Sequence, residues 1–532
     1  MSRSLKNIGI VSAATMVSRV LGLGRDVLVT AVFGTSALAS AFVTAFTLPN
    51  LFRRLLGEGA LTAAMVPTLN DELAARQKAG AFALLNQVAS WLGLVTLLIV
   101  GGSMLGLHGL ADASWLERVV DNAATVERWR LAAEIGVFLF PYLFFVCLAA
   151  AFSAALQTLN RFLEPALSPI WLNLAIIGAL GGAVWGLGIE VGEARMRWLC
   201  GGVLVGGFLQ MAVPAGALMV REGWRPRLDL SLSPAVRAVL VLMGPTVLGS
   251  AVYLINLAVS RVIGLSLNEA AATILNLATR LIELPIGVFA IAVSTVVFPL
   301  ISSYAAKREW GKLAAAYHHG MRLVLAINVP AAAGMVVLAS PIIRVLFQRG
   351  EFTGADTTAM APVLMVFAAG LPFFAYVNLM LRAFYAEKDT RTPVKAAVLS
   401  FVINVGLSLL LMGPLSTMGL ALASNLAVVA QAVYLQRALT RQRRELGVAT
   451  LLPSVVKILV GSAAMGLVLW GGLQWIAPDA QTWWADFGRL AVGVPVGAGL
   501  YAAVVWTLRL EGRDELLRLV RGRKPRVDTK GL

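Results

Sequence analysis

Apolar residues gather into long runs in this chain, near 8–33, 36–57, 84–107, 132–156, 166–188, 198–220, 238–264, 270–300, 318–340, 358–385, 395–413, 418–438, 454–476 and 488–508. A helix needs roughly 20 apolar residues to cross a bilayer. About fourteen crossings therefore fit into the 532 residues and leave no length for a large soluble domain. Only 14% of the residues are charged, where a soluble domain carries about a quarter. The pattern predicts an all-α polytopic membrane protein. A shorter apolar stretch, 60–69, reads as the second run continuing toward the cytoplasm. Arg3 and Lys6 precede the first run as they would in a signal peptide, but Arg19 and Arg25 interrupt it. No short apolar core with a small-residue cleavage site follows, so the run reads as a retained helix.

The net charge of +16 would suggest nucleic acid on a soluble protein. Here the cations sit in short segments between apolar runs, as cytoplasmic loops do, and nucleic acid is not expected as a partner. With the N-terminus inside, the inner segments carry 29 Lys and Arg and the outer segments 8. This places both termini in the cytoplasm. The remaining seven are all arginine, Arg19, Arg25, Arg53, Arg54, Arg261, Arg280 and Arg382, inside or at the edge of apolar runs. Cys147 and Cys200 lie in apolar runs and indicate no disulfide framework.

A faint repeat runs through the chain. Met65-Val66-Pro67-Thr68-Leu69 resembles Val297-Phe298-Pro299-Leu300-Ile301, and Ala155, Pro165 and Gly178 correspond to Ala383, Pro393 and Gly406. A duplicated six-helix unit follows. We expect lobes at 1–222 (helices 1–6) and 235–440 (helices 7–12), two further helices at 454–508, and a basic cytoplasmic tail at 509–532.

Enzyme chemistry finds no foothold. Gly311-Lys312 is followed by Leu313, so there is no P-loop. His318 and His319 diverge on a helix with no cysteine near, which argues against zinc and for a wet pair at a helix start. No cofactor and no metal are expected.

The intramembrane arginines carry the signal. A central arginine costs about 2.5–3.5 kcal/mol even on a lenient insertion scale, and it persists where it faces a wet cavity, pairs with an acid or snorkels. Arg19 and Asp26 are seven apart and share a helical face, with Gly22 and Gly24 leaving room for a ligand or a bend. An Arg25–Asp26 interface anchor is the plainer alternative there. Pro49 invites a kink ahead of Arg53, Arg54 and Glu58, and Arg54 suits the interface. Arg280 and Glu283 are i,i+3 neighbours, with Pro285 behind them. Arg261 and Arg382 read as edge residues outside the site. An arginine-rich cavity suits an anion, because the planar guanidinium matches phosphate.

These residues stand in longer motifs. Ser18-Arg19-Val20-Leu21-Gly22-Leu23-Gly24-Arg25-Asp26 resembles the opening motif of the MurJ (MviN) lipid II flippases. Leu48-Pro49-Asn50-Leu51-Phe52-Arg53-Arg54-Leu55-Leu56-Gly57-Glu58-Gly59-Ala60 resembles their second-helix motif. Arg280-Leu281-Ile282-Glu283-Leu284-Pro285, Phe347-Gln348-Arg349-Gly350-Glu351-Phe352-Thr353 and the segment from Phe384 to Pro393 are similar to further family segments, in family order.

The resemblance implies the multidrug/oligosaccharidyl-lipid/polysaccharide exporter fold. Two pseudo-symmetric six-helix lobes would form a V around a cationic cavity, with two C-terminal helices bordering a lipid-tail groove. It implies lipid II, the undecaprenyl-diphosphate-linked peptidoglycan precursor, as substrate, with membrane lipids and cell-wall synthesis proteins as partners. Family functional arginines match Arg19, Arg25, Arg53 and Arg280, and a family acid matches Glu283. Asp26 and Glu58 would support them. Two family aspartates align with Ser40 and Thr279, which puts any coupling role of those acids in doubt here. The expectation is a flippase of the bacterial inner membrane working by alternating access. An exporter of another undecaprenyl-linked glycan or of a drug, and a non-transporting lipid II-binding scaffold, are the other readings.

Overall fold

The structure is a computed structural model that describes residues 3–53, 60–112, 117, 120, 122–287, 291–475 and 482–509. It is helical, with no strand among the described residues. The helices are α1 (Arg3–Phe33), α2 (Ala37–Phe52), α3 (Ala60–Ala111), α4 (Ala123–Leu139), α5 (Pro141–Thr158), α6 (Leu163–Gly181), α7 (Gly192–Glu222) and α8 (Pro234–Leu267). They continue as α9 (Ala271–Pro285), α10 (Ile291–Ala306), α11 (Trp310–Val337), α12 (Ala339–Phe347), α13 (Gly354–Ala386), α14 (Arg391–Gln442), α15 (Leu452–Trp475) and α16 (Trp483–Thr507). Among the described residues, nine helices are long and apolar enough to cross a membrane, and shorter apolar helices such as Ala37–Phe52 stand beside them.

The helices begin where short polar side chains precede apolar runs. Ser36, Asn122, Ser233 and Thr482 each accept a backbone N–H of the first turn, and Thr353 with Asp356 closes a capping box on α13. Each cap satisfies an amide that the helix itself cannot.

The apolar runs and the helices do not map one to one. The run at 132–156 spans α4 and α5, divided at Pro141, which opens α5. The run at 270–300 divides between α9 and α10 beyond Pro285. The runs at 395–413 and 418–438 both lie in α14, broken at Ser416 (φ 49°, ψ −135°). The stretch at 60–69 opens α3, and a break at Gln77 (φ 55°, ψ −152°) separates it from the third run. Arg54 and Glu58 lie outside the described residues.

The chain forms two compact units, Met1–Thr273 with Gly350–Phe352, and Ile274–Arg349 with Thr353–Leu532. In the first, α6 and α7 pack backbone to backbone. A Cβ on Gly202 would meet the Ala175 carbonyl oxygen at 2.9 Å, and one on Gly206 would meet the Leu172 Cα at 2.9 Å. Small residues at such contacts give close van der Waals packing where lipid offers no hydrophobic drive. Residues 350–352 dock on the α1–α2 corner, where Glu351 N donates to Ala31 O (2.9 Å). Gly34 and Gly350 both have positive φ there, and a Cβ on Gly350 would meet the Ala31 carbonyl at 2.1 Å, so only glycine fits.

The second unit is held by polar contacts between apolar helices. Pro330 has no N–H for the carbonyl of Ala326 one turn earlier. The Tyr501 hydroxyl of α16 donates to that oxygen at 2.7 Å. At the other end of α16, the fully buried Asp486 accepts from Arg344 of α12 (2.6 and 3.0 Å) and from Arg489 (2.7 Å). His318 is not a wet histidine. It is buried on α11, with Nε2 3.0 Å from the Gly447 carbonyl and the Thr450 hydroxyl 3.2 Å away. The connector between α14 and α15 folds back over it. Cys147 and Cys200 are free and buried.

If Tyr501 repairs the gap left by Pro330, Tyr501→Phe should cost roughly 1 kcal/mol, typical of interhelical bonds in membranes. It should cost much less on a Pro330→Ala background, where the amide returns. Unfolding of the purified protein in detergent measures both. An equal loss in the two backgrounds would show that the hydroxyl acts elsewhere.

Candidate functional site

α1 carries the first group of expected residues, and they behave differently from one another. Arg19 is exposed, beside the exposed apolar side chains of Met16, Val17 and Val20. No hydrogen bond or ion pair to it occurs among the described residues. Arg25, six residues on, is largely buried and engaged. Its Nε and Nη2 donate to Asp26 Oδ1 at 3.0 and 2.6 Å, and its Nη1 donates to Asn173 Oδ1 of α6 at 3.1 Å. Asp26 thus pairs with its neighbour Arg25.

Asn173 was not legible as a site residue in the sequence. It is buried, and its Nδ2 donates to the Ser18 carbonyl at 3.2 Å. With one end on a donor and the other on an acceptor, its amide can sit only one way round, which turns Oδ1 to Arg25. A Cβ on Gly22 would lie 3.6 Å from Asn173 Nδ2, an ordinary contact, so this amide does not by itself require glycine there. Gly24 has open space around it. The only sequence signal was an asparagine inside an apolar run, 148 residues away.

On α2, Arg53 is half-buried and donates from Nε to Asn50 Oδ1 at 2.7 Å. Tyr142, at the start of α5, is buried against the Phe46 ring of α2, with 5.5 Å between ring centroids. Ser40 is fully buried, and its hydroxyl donates to the Glu269 carbonyl, lies 3.0 Å from the Thr273 hydroxyl and accepts from Thr273 N at 3.3 Å. A carboxylate at this place would face that carbonyl oxygen. The serine ties α2 to the start of α9.

The other expected residues stand on α9 in the second unit. Arg280 and Glu283 approach to 3.6 Å with both side chains nearly half exposed, an ion pair too long for a hydrogen bond. The Thr279 hydroxyl donates to the Leu275 carbonyl at 2.6 Å, inside its own helix. Of the two residues left out as edge arginines, Arg261 is in fact buried within α8, whereas Arg382 is exposed and lies over the Phe298 ring at 5.6 Å. An arrangement of guanidinium groups with few acids can hold a polyanion, and no nucleophile or acid–base pair accompanies it among these residues.

The sequence model of the family described as "Lipid II flippase MurJ" matches residues 29–482. A protein of Rhizobium meliloti named "Probable lipid II flippase MurJ" is 32% identical over 480 residues, 89% of this chain and 87% of its own. One of Vibrio cholerae with the same name is 30% identical over 527 residues, covering 96% and 97%. A solved structure titled "Lipid II flippase MurJ, inward closed conformation" superposes with a TM-score of 0.74 at 24% identity, covering 94% of this chain and 99% of its own. An inward-facing multidrug resistance MATE family transporter of the MOP superfamily gives 0.65 at 16% identity, covering 82% and 98%. At these identities the superpositions establish the fold.

The Arg25–Asp26 pair should show the cost of a stranded charge. Asp26→Asn alone should destabilise the protein by about 3 kcal/mol, the usual result of removing one partner of a buried pair. Arg25→Gln with Asp26→Asn should cost less than the single change. Equal melting temperatures for the single and double variants would show that Asp26 does not neutralise Arg25.

Proposed function

The chain belongs to the lipid II flippase MurJ family, and from that premise we propose that it moves lipid II from the cytoplasmic to the outer leaflet of the inner membrane by alternating access. It is then a multi-pass transporter, not an enzyme, and it serves cell-wall synthesis. The observation that carries the reading is the set Arg19, Arg25 and Arg53. These are three permanent cations on apolar helices of one unit: Arg19 has no protein partner among the described residues, Arg25 is held by Asn173 and Asp26, and Arg53 is held by Asn50.

A diphosphate is the ligand such a set would take. Each guanidinium can donate two parallel bonds to phosphate oxygens, and it stays charged at every pH the cell reaches. Arg19 would receive the diphosphate first, because no acid competes for it. Arg25 is held ready by Asn173, with Asp26 occupying one edge of its fork. The substrate phosphate would replace that carboxylate, and Asp26 would take the arginine back on release. This lowers the barrier to letting go of a tightly bound anion. Arg280 is proposed as a further phosphate ligand, with Glu283 as its loose counter-ion. Ser40 and Thr279 have hydroxyls committed to protein carbonyls and would take no part in proton coupling. The undecaprenyl tail would remain in lipid along the exposed apolar faces of α15 and α16, which include Leu459, Val460, Leu467, Val494 and Val496. Both termini and the segments at 222–235 and 387–395 would be cytoplasmic.

Three measurements test this. In a strain depleted of its own flippase, alanine at Arg19, Arg25 or Arg53 should abolish rescue and lysine should restore it in part, with membrane levels checked by blot. Loss of one charged donor pair weakens binding by about ten- to hundredfold. The exposed Arg76, paired only loosely with Glu72 at 3.8 Å, should tolerate alanine. Growth at normal expression with all three alanines would remove the arginines from the site. Arg280→Gln with Glu283→Gln should stay inactive if Arg280 grips substrate, and recovery would make the pair structural. Finally, a cysteine at Arg391, on a chain lacking Cys147 and Cys200, should resist external labelling in intact cells. Purified protein in vesicles should move a fluorescent lipid II head group, and binding without movement would leave the scaffold reading instead.

A further inference from the structure

Between α7 and α8 the chain runs from Gly223 to Ser233 with no helix or turn, laid along α3. Three α3 side chains hold it. Asn86 Oδ1 accepts from Trp224 Nε1 (2.9 Å) and from Arg227 N (3.3 Å), and Asn86 Nδ2 donates to Arg225 O (3.2 Å). Ser90 Oγ accepts from Asp229 N at 2.9 Å. Gln87 donates to Asp229 Oδ2 (3.1 Å) and Ser231 Oγ (2.8 Å), and accepts from Ser233 Oγ (2.7 Å). The strap thus reads with a period of two. Asp229, Ser231 and Ser233 face α3, while Leu228, Leu230 and Leu232 are exposed at 86, 42 and 48%. Arg225, Arg227 and Arg237 are exposed beside them.

This pattern is wrong for a loop in water and right for one at a bilayer surface. The α3 residues that hold the strap lie within the apolar run at 84–107, so the strap sits level with the start of that run. It also joins α7, a helix long and apolar enough to span, to α8, whose Leu240 and Val241 are exposed in turn. At such a depth water is scarce, and irregular backbone persists where protein groups satisfy it. Asn86 and Ser90 supply those bonds. Three exposed leucines, with exposed arginines before them in the strap and after them at the start of α8, then match the two chemistries of a leaflet edge, acyl chains and phosphates.

We propose that the strap Arg225–Ser233 is a docking surface for anionic phospholipid, with Leu228, Leu230 and Leu232 entering the boundary between head groups and acyl chains and Arg225, Arg227 and Arg237 binding lipid phosphates. Asp229, its carboxylate hydrogen-bonded to Gln87 and Ser231, offsets one of the three positive charges and leaves the patch with a net charge of about two. The surface lies on one unit and depends on the membrane-spanning fold alone, not on which lipid the protein carries.

The test uses the full chain in nanodiscs without lipid II, so any lipid seen is bulk lipid. Both faces of a nanodisc carry the same lipid, so the result is independent of topology. A spin label at Leu230→Cys, on a Cys147→Ala, Cys200→Ala background, reports collision with oxygen and with a water-soluble nickel chelate. In phosphatidylglycerol-containing discs the label should be shielded from nickel and open to oxygen, unlike a label at the exposed Lys307→Cys. In purely phosphatidylcholine discs the shielding should fall. With Arg225→Gln, Arg227→Gln and Arg237→Gln together, the difference between the two lipids should be lost. Each arginine should contribute about a fivefold preference for the anionic surface, which is ~1 kcal/mol. Amide exchange at 225–233 in the unaltered chain gives a second reading that needs no substitution, and slower exchange in the anionic discs is expected. Nickel access at Leu230 equal to that at Lys307, or equal depth and equal exchange in both lipids, would overturn the proposal.

Discussion

Within a bilayer every backbone N–H and C=O must find its partner inside the protein, and the layout of this chain follows from that requirement. It makes the runs helical, places capping serines, threonines and asparagines at helix starts, and at Pro330 has another element bond the carbonyl that the proline leaves open. Tyr501 does so for the Ala326 carbonyl and thereby fixes α16 to α11. The same requirement explains why the only long extended segment among the described residues lies against Asn86, Gln87 and Ser90 rather than running free.

Charge obeys a related rule, with unequal outcomes. Asp486 is wholly buried and meets two arginines, so the cluster keeps one net positive charge as a fixed joint between α12 and α16. Arg25 is nearly as enclosed and meets one acid and one amide. Arg19 meets neither and stands at the surface of α1. The proposed ligands Arg19 and Arg25 thus differ from the Asp486 joint in how their charge is answered, and not in burial alone. A joint saturates its donors, whereas a binding group leaves some of them to be used or exchanged.

The family motifs mark short stretches of chain, and the structure shows what some of their glycines and polar residues do. Gly350, in the segment from Phe347 to Thr353, lets the backbone touch Ala31. Asn50, in the second-helix motif, accepts from Arg53 Nε at 2.7 Å and so holds that side chain. Where this chain has Ser40, the small hydroxyl fits a closed junction between α2 and α9.

The amino-acid sequence alone determined that the chain is helical and crosses a membrane many times, because run length and charge placement are local properties that hydrophobic transfer reads directly. It also marked Arg19, Arg25, Arg53 and Arg280, because a charge in an apolar run is conspicuous wherever the run folds. Only tertiary structure decided how those charges are answered. Asn173 reaches Arg25 from 148 residues away, Arg261 proves to be buried where it read as an edge, and His318 is covered by a connector more than a hundred residues later. The breaks at Gln77 and Ser416, which merge or divide the apolar runs, are likewise invisible to hydropathy. Each of these depends on which helix faces which, and a hydrogen bond between distant segments leaves no periodic trace in either of them.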